Sequence, residues 1–459
     1  MNAPDRARLP ALRGDARFYR DLARIAVPIA LQNLITAGVN ALDTVMVGRL
    51  GAAELAAVGL ANQVWFLLIL FLFGVSTGAG VFTAQYWGKK DIAGIRRTTG
   101  VALAVGVGAS LAFAAAAVTA PKAILGFYSR DPEVIALGAD YLRVVAFSYP
   151  LAAAGFVFSI ALRGVERVKL PLAATAVSLS LNAVLNYALI FGAFGLPRLG
   201  VLGAAIATLI AKALEAAIVI VGAYLKKTPP AGRLSELFAW GSGFVSRYVR
   251  VAAPVLLNEV TWSLGITVYN AVFARMGTEA IAAFNVASTV SQLAMVFFMG
   301  SANAAAVMIG ARIGEGERER AFAWAGRFAV LSPALGALVG ALLIPASRLL
   351  PLVFALEPVP MAQAMAMVVV LGLVYPFKVF NLHLIVGICR SGGDTRFGAA
   401  FDIAGVWGLG VPLVALGAFA LRLEPWAVFA LLNVEEIAKS FLGVWRLKTR
   451  RWLRDVTAA

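Results

Sequence analysis

Asp43 stands inside an apolar run, after Ala37-Gly-Val-Asn-Ala-Leu42 and before Val45-Met46. A carboxylate in such surroundings is costly unless it holds a proton, a metal ion or a cationic partner. Asn182 and Asn186 interrupt a later run. They stand four apart, so a helix puts both amides on one face. Thr208 lies in the run after that. Glu259 follows Pro254 by five residues in another apolar stretch. A proline inside a helix frees a backbone carbonyl and can bend the chain. His383 is the only histidine and Cys389 the only cysteine. With one histidine, one cysteine and no metal-ligand cluster, neither a metal site, a cofactor nor an enzyme is expected. A single cysteine also forbids an intramolecular disulfide.

The elements that must position these residues follow from composition. The 459 residues are 61% hydrophobic and 14% charged, far outside the range of soluble domains. Apolar stretches run from 24–47 to 426–446, twelve in all, each long enough to cross a bilayer as a helix. They are apolar on all sides and about twice the length of a barrel strand, which excludes a transmembrane β-barrel. The fold class is therefore all-α, a polytopic membrane protein.

The formal net charge of +16 does not signal nucleic-acid binding, because its placement follows the membrane. With the N-terminal tail in the cytoplasm, inside segments hold about 29 Lys and Arg and outside loops about 7. Both termini are then cytoplasmic, in an inner (plasma) membrane. The first apolar run follows a basic tail and is long enough to stay in the bilayer, so no cleaved signal is expected.

The chain also contains itself twice. Shifted by 226 positions, Arg24–Pro28 falls on Arg250–Pro254, Arg49–Gly51 on Arg275–Gly277, and Gly88 on Gly314. Paired halves in a membrane protein point to a secondary transporter with its site at the repeat interface. The expected organisation is a tail (1–23), an N-lobe of helices one to six (24–224), a cytoplasmic linker (225–250), a C-lobe of helices seven to twelve (251–447) and a C-terminal tail (448–459). Six helices per half is an even number, so the two lobes insert in the same orientation, related by a pseudo-twofold axis along the membrane normal. Within the linker, Ser235–Tyr248 reads as a short interfacial helix.

The motifs, in order, are Pro28, the segment Asp43–Gly51, Gln85–Lys90, Leu181–Tyr187 and Leu202–Thr208. In the second half they are Pro254 with Asn258-Glu259, then Gly310–Gly314 and Arg390–Thr395. Over residues 20 to 450 this pattern resembles the multidrug and toxic compound extrusion (MATE) family. The resemblance implies a twelve-helix, two-lobed antiporter that exports cationic amphiphilic small molecules, drugs and toxins, in exchange for H⁺ or Na⁺. Antibiotic resistance is the expected consequence.

By the same resemblance, Asp43, Asn182, Asn186 and Thr208 form an ion or proton site. Many family members carry an aspartate at the position of Asn186, so this site has lost one negative charge, which favours the proton. Glu259 occupies the acidic position of norfloxacin exporters, where it pairs with an aspartate on helix ten. Here helix ten offers Lys378 instead, which is expected to neutralise Glu259 or Asp402; Asp402 alternatively serves a basic loop residue.

Trp65 and Phe66 on helix two, and Phe284 and Phe298 on helix eight, are expected either to line a cavity for amphiphiles or to face lipid as bulk. Partners are then a small-molecule substrate and the lipid bilayer, for a monomer that binds no nucleic acid. The alternative is a flippase for a lipid-linked precursor, for which Arg143 and Lys378 would bind phosphate.

Overall fold

The computed structural model describes residues 16–458. Among them the chain is helical, with no strand. The helices are α1 (Ala16–Gly48), α2 (Ala52–Lys89), α3 (Ile92–Thr119), α4 (Pro121–Gly126), α5 (Pro132–Val145), α6 (Ser148–Gly164), α7 (Lys169–Phe191), α8 (Gly200–Leu225), α9 (Leu234–Leu237), α10 (Ser242–Met276), α11 (Thr278–Gly314), α12 (Arg318–Ala346), α13 (Leu350–Val353), α14 (Pro358–Leu382), α15 (Thr395–Gly405), α16 (Val411–Ala415) and α17 (Pro425–Lys448). Local chemistry sets several starts. The Asp91 carboxylate accepts from the Gly94 N–H at 2.8 Å, capping α3. Asp131 does the same for α5, accepting from the Glu133 N–H at 2.9 Å, with Pro132 at the first helical position.

Among the described residues, ten helices are long and apolar enough to cross a membrane, or up to eleven when the bent pair α5 and α6 counts as one span. Large apolar side chains such as Leu67, Leu111, Leu342 and Phe441 face outward, as a lipid environment requires. The span expected over 136–161 is not straight. It bends by 52° between α5 and α6. Pro150 has no N–H to donate to Ala146, whose carbonyl accepts from the Tyr149 N–H at 3.1 Å, and the Ser148 hydroxyl donates to the Val145 carbonyl at 2.6 Å. The last expected span corresponds to α17, which carries Glu435, Glu436 and Lys439 near its middle.

Two compact units emerge. One is Leu31–Leu256; the other is Leu257–Ala459 together with the chain up to Ala30. Each dividing point lies two residues beyond a helix proline, Pro28 in α1 and Pro254 in α10. The two points stand 226 positions apart, the spacing of the repeat. Each of these helices thus gives its first turns to one unit and its remainder to the other.

Within the first unit, a Cβ on Gly74 of α2 would lie 2.7 Å from the Leu256 Cα of α10. Within the second, a Cβ on Gly300 of α11 would lie 2.8 Å from the Ala26 carbonyl oxygen of α1. Gly74 and Gly300 are also 226 apart, so one close helix contact, possible only without side chains, is built twice.

The first unit's core runs through Leu68, Leu72, Leu142, Tyr149, Ile190 and Ala205. The second unit's core runs through Phe273, Phe284, Met367, Leu371, Tyr375 and Phe429. The linker differs from expectation: Ser235–Tyr248 is not one helix. The four-residue α9 ends at Leu237, and α10 starts at Ser242, after Gly241 loosens the backbone. Arg96 holds α9 to α3 through Glu236 at 2.7 Å.

Candidate functional site

In the first unit, α1 and α7 bring Asp43 to Asn182 and Asn186. The Asn186 amide donates to Asp43 Oδ1 at 2.6 Å. The Asn182 amide, turned so that its nitrogen faces the carboxylate, donates to the two Asp43 oxygens at 3.0 and 3.2 Å. That orientation is assigned from the hydrogen-bond network, because the alternative sets oxygen against oxygen. Both asparagines are buried, and Asp43 is half-buried. Asn186 Oδ1 is buried with no hydrogen-bond donor. Asp43 is therefore gripped as an anion by amides rather than by a cation.

Thr208 on α8 lies beside the Tyr141 hydroxyl of α5, and the charge of Asp43 acts on that same hydroxyl. Tyr141 was not among the expected site residues. Its signal in the sequence is weak, because a lone tyrosine in an apolar helix reads as core. Lys212, one turn beyond Thr208, also belongs here: its charge acts on Asp43, and its ammonium sits 5.9 Å from the Trp65 ring centroid. Lys212 Nζ reaches Glu215 at 3.0 Å. From Glu215 a polar chain continues: Thr175 donates to it at 2.7 Å, Gln32 donates to Thr175 at 2.8 Å, and Arg163 donates to Gln32 at 2.7 Å.

The second unit arranges its charges differently from the sequence reading. Glu259 pairs with Arg390, whose Nη2 donates to its Oε1 at 2.6 Å. Asp402 pairs with Lys439 at 3.1 Å. Lys378 is thus the ion-pair partner of neither acid; it is half-buried on α14, and its charge acts on Glu435 of α17. The reason is helix phase and length, since an arginine from the Arg390–Thr395 motif reaches further than a lysine on α14. The same motif supplies Asp394, which accepts from Arg446 Nε at 2.8 Å.

The aromatic residues separate. Trp65 lies in the Asp43 neighbourhood, with its ring 5.7 Å from that of Tyr149. Phe66 faces outward, 43% exposed. Phe284 stacks on Phe273 at 4.3 Å, and Phe298 meets Tyr375 edge-on at 5.8 Å, so both fill the second unit's core. Arg143 is exposed and sits 3.5 Å from Asp140, its charge already countered. Among the described residues no group of three or more His, Cys, Asp or Glu could hold a metal ion.

The profile of the MatE family matches residues 28–188 and 254–416, two segments that begin at the two helix prolines. The chain belongs to the MatE family. MatE proteins are membrane transporters, not enzymes. Among curated relatives, the probable multidrug resistance protein NorM of Rhizobium meliloti (strain 1021) is 32% identical over 308 residues, 65% of this chain and 64% of that protein. The probable NorM of Bradyrhizobium diazoefficiens is 30% identical over 443 residues, covering 94% and 93% of the two chains.

Solved MatE structures share the fold. A mutant of the Vibrio cholerae MATE transporter VcmN superposes with a TM-score of 0.87 at 18% identity, covering 95% of this chain and 97% of that one. A MOP superfamily transporter from Pyrococcus furiosus gives 0.85 at 20% identity, covering 96% of each. As a MatE chain of this length and hydropathy, the molecule is a multi-pass membrane protein whose substrates are small molecules.

Proposed function

We propose that the protein is a multidrug efflux antiporter, exporting cationic or amphiphilic compounds in exchange for protons by alternating access of two six-helix lobes. Twelve spans, with α17 as the last, keep both termini on the cytoplasmic side of the inner membrane. The protein works as a monomer. The relatives named as multidrug resistance proteins support the substrate class.

The coupling reading rests on one observation: among the described residues Asp43 is hydrogen-bonded by two amides and ion-paired to no cation, Lys212 acting on it only at a distance. An asparagine amide carries both a donor and an acceptor. The N–H groups serve the carboxylate, and the buried Asn186 oxygen is an acceptor for the carboxylic acid once a proton arrives. Proton exchange then needs only an amide rotation. A second carboxylate, which would help replace the hydration shell of Na⁺, is absent from this group. Substrate and proton would each favour a different arrangement of the lobes, and that difference drives exchange.

The test is efflux of a lipophilic cationic dye from proteoliposomes under an imposed proton gradient without sodium. Wild-type protein should transport, and Asp43→Asn should not, at matched reconstitution. Transport that appears only with a sodium gradient would refute proton coupling.

A further inference from the structure

The second unit holds a buried charge group that the scheme above does not use. Lys439 Nζ on α17 lies 3.1 Å from Asp402 Oδ1, 3.4 Å from Glu436 Oε2 and 3.7 Å from Glu435 Oε1. The four side chains are 6%, 12%, 13% and 6% exposed in the order Lys439, Asp402, Glu436, Glu435. The Tyr269 hydroxyl of α10 donates to Glu435 Oε2 at 3.4 Å. From α14, the Asn381 amide donates to Glu436 Oε2 at 2.7 Å, and Ser440 closes the network by donating to Asn381 Oδ1 at 3.2 Å. The titratable and charged groups that face Glu435 are therefore Tyr269 of α10, Lys378 of α14, Asp402 of α15, and Glu436 and Lys439 of its own helix.

Two further features mark this place. A Cβ on Gly410 would run into the Tyr269 hydroxyl and lie 2.7 Å from Glu435 Oε2, so the Tyr–Glu contact is open only because residue 410 has no side chain. Gly410 ends a π-helical turn, Val406–Gly410, of the kind that recurs where helices are bent for function. The repeat also maps the group onto the Asp43 site. Tyr269 stands 226 positions after Asp43. Glu435 and Lys439 each stand 227 after Thr208 and Lys212. At the strict 226 shift Thr208 and Lys212 fall on Val434 and Ala438, so Glu435 and Lys439 stand one residue beyond the matching positions, on the last helix of the half.

We propose that this group is a second proton-binding site and that Glu435 carries the proton. Three carboxylates face one ammonium, with a second, Lys378, further off. One negative charge is left over even when both lysines are counted. An uncompensated charge in a low-dielectric interior is costly, and one added proton removes it. Asp402 is closest to the ammonium, and Glu436 has the Asn381 amide. Glu435 has the longest reach to Lys439 and only a long contact to Tyr269, so its anion is the least satisfied of the three. The proton comes from water, forms one O–H bond on a Glu435 oxygen, and breaks no other bond. Protonation itself is independent of the antiport reading; the claim that this proton is carried with transport rests on it.

Infrared spectroscopy of the purified full-length protein in lipid bilayers tests the assignment. At neutral pH the wild type should show the carbonyl stretch of a protonated carboxylic acid, lost on titration to high pH. Glu435→Gln should abolish that band and Asp43→Asn should retain it, while Glu436→Gln, which removes the surplus negative charge, should lower the pH at which the band is lost. Tyr269→Phe should shift it, a second reading should Glu435→Gln fold poorly. A wild type without such a band, a band that survives Glu435→Gln, or a band displaced by sodium at constant pH would overturn the assignment. In proteoliposomes, the number of protons exchanged per substrate, read from the gradient at which flux reverses, should fall by one in Glu435→Gln. An unchanged ratio would show that the site titrates without taking part in transport. Failure of the antiport reading would look different: no proton-driven flux in the wild type, with the infrared band intact.

Discussion

The Asp43 group of the first unit and the Lys439 group of the second occupy matching places in the repeat and solve opposite problems. The first has one carboxylate and too few charges to need a protein cation: amides from Asn182 and Asn186 hold Asp43, and Lys212 spends its ion pair on Glu215. The second has too many, three carboxylates on Lys439, and is nearly closed to solvent. Only part of the polar pattern corresponds across the repeat: Asp43 matches Tyr269, while Asn182 and Asn186 fall on Gly408 and Pro412. A sparse site that is half-buried suits rapid exchange. On the reading proposed above, the dense one would release its proton only when the group is pulled apart.

The sharpest way to break this contrast is Asp43→Asn. On our reading it removes the only coupling acid of the first unit, and proton-driven efflux should fall on the order of 100-fold or more, the scale of a positioned acid–base group. Dye flux at matched protein amounts measures it. Near-normal flux would leave the two groups without distinct roles.

Next comes Glu259→Gln, which takes the carboxylate from a largely buried arginine. Breaking such a pair costs about 3 kcal/mol, seen as a lower melting temperature of the purified protein. The further change Arg390→Met should recover part of that loss, whereas Lys378→Met should add to it independently. Recovery by Lys378→Met instead would mean that the pairing seen here is not the operative one.

The duplicated glycine contact gives a smaller and more symmetrical test. Gly74→Ala and Gly300→Ala each push a methyl group against a neighbouring backbone, and each should destabilise by about 1–3 kcal/mol. Gly108→Ala, which meets nothing within 4 Å, should be neutral. Unequal effects at positions 74 and 300 would show that the two halves no longer share this packing.

The mildest change is Asn186→Asp, which gives the first site a second acid. Two carboxylates share a proton more tightly than one, so the pH profile of efflux should move upward by about one unit. Flux should still run without sodium. A new dependence on sodium would make Asn186 the residue that selects the ion.

Much of this molecule was legible before any coordinates. Helices long enough to span a bilayer follow from apolar runs that no soluble core could absorb, and the family follows from motifs repeated in register. The grouping of Asp43 with Asn182 and Asn186 follows from the family resemblance rather than from spacing, and the three side chains do meet.

What the sequence could not decide was set by helix phase and by contacts between distant segments. Which cation neutralises Glu259 depends on the reach of Arg390 from another helix, not on proximity in the chain. Phe284 and Phe298 share composition with a cavity wall, yet the face they present puts them in the core. Tyr141 looks like bulk until Thr208 of α8 and the charge of Asp43 are brought to its hydroxyl. Along the sequence Glu435 and Glu436 stand four and three residues before Lys439, the spacing of ion pairs on a single helix. They became a single group only when α10, α14 and α15 were packed around Lys439. The chain determines which residues must leave water and where the backbone can bend. The tertiary structure alone decides which buried charges meet, since that depends on angles of rotation about helices that no linear spacing records.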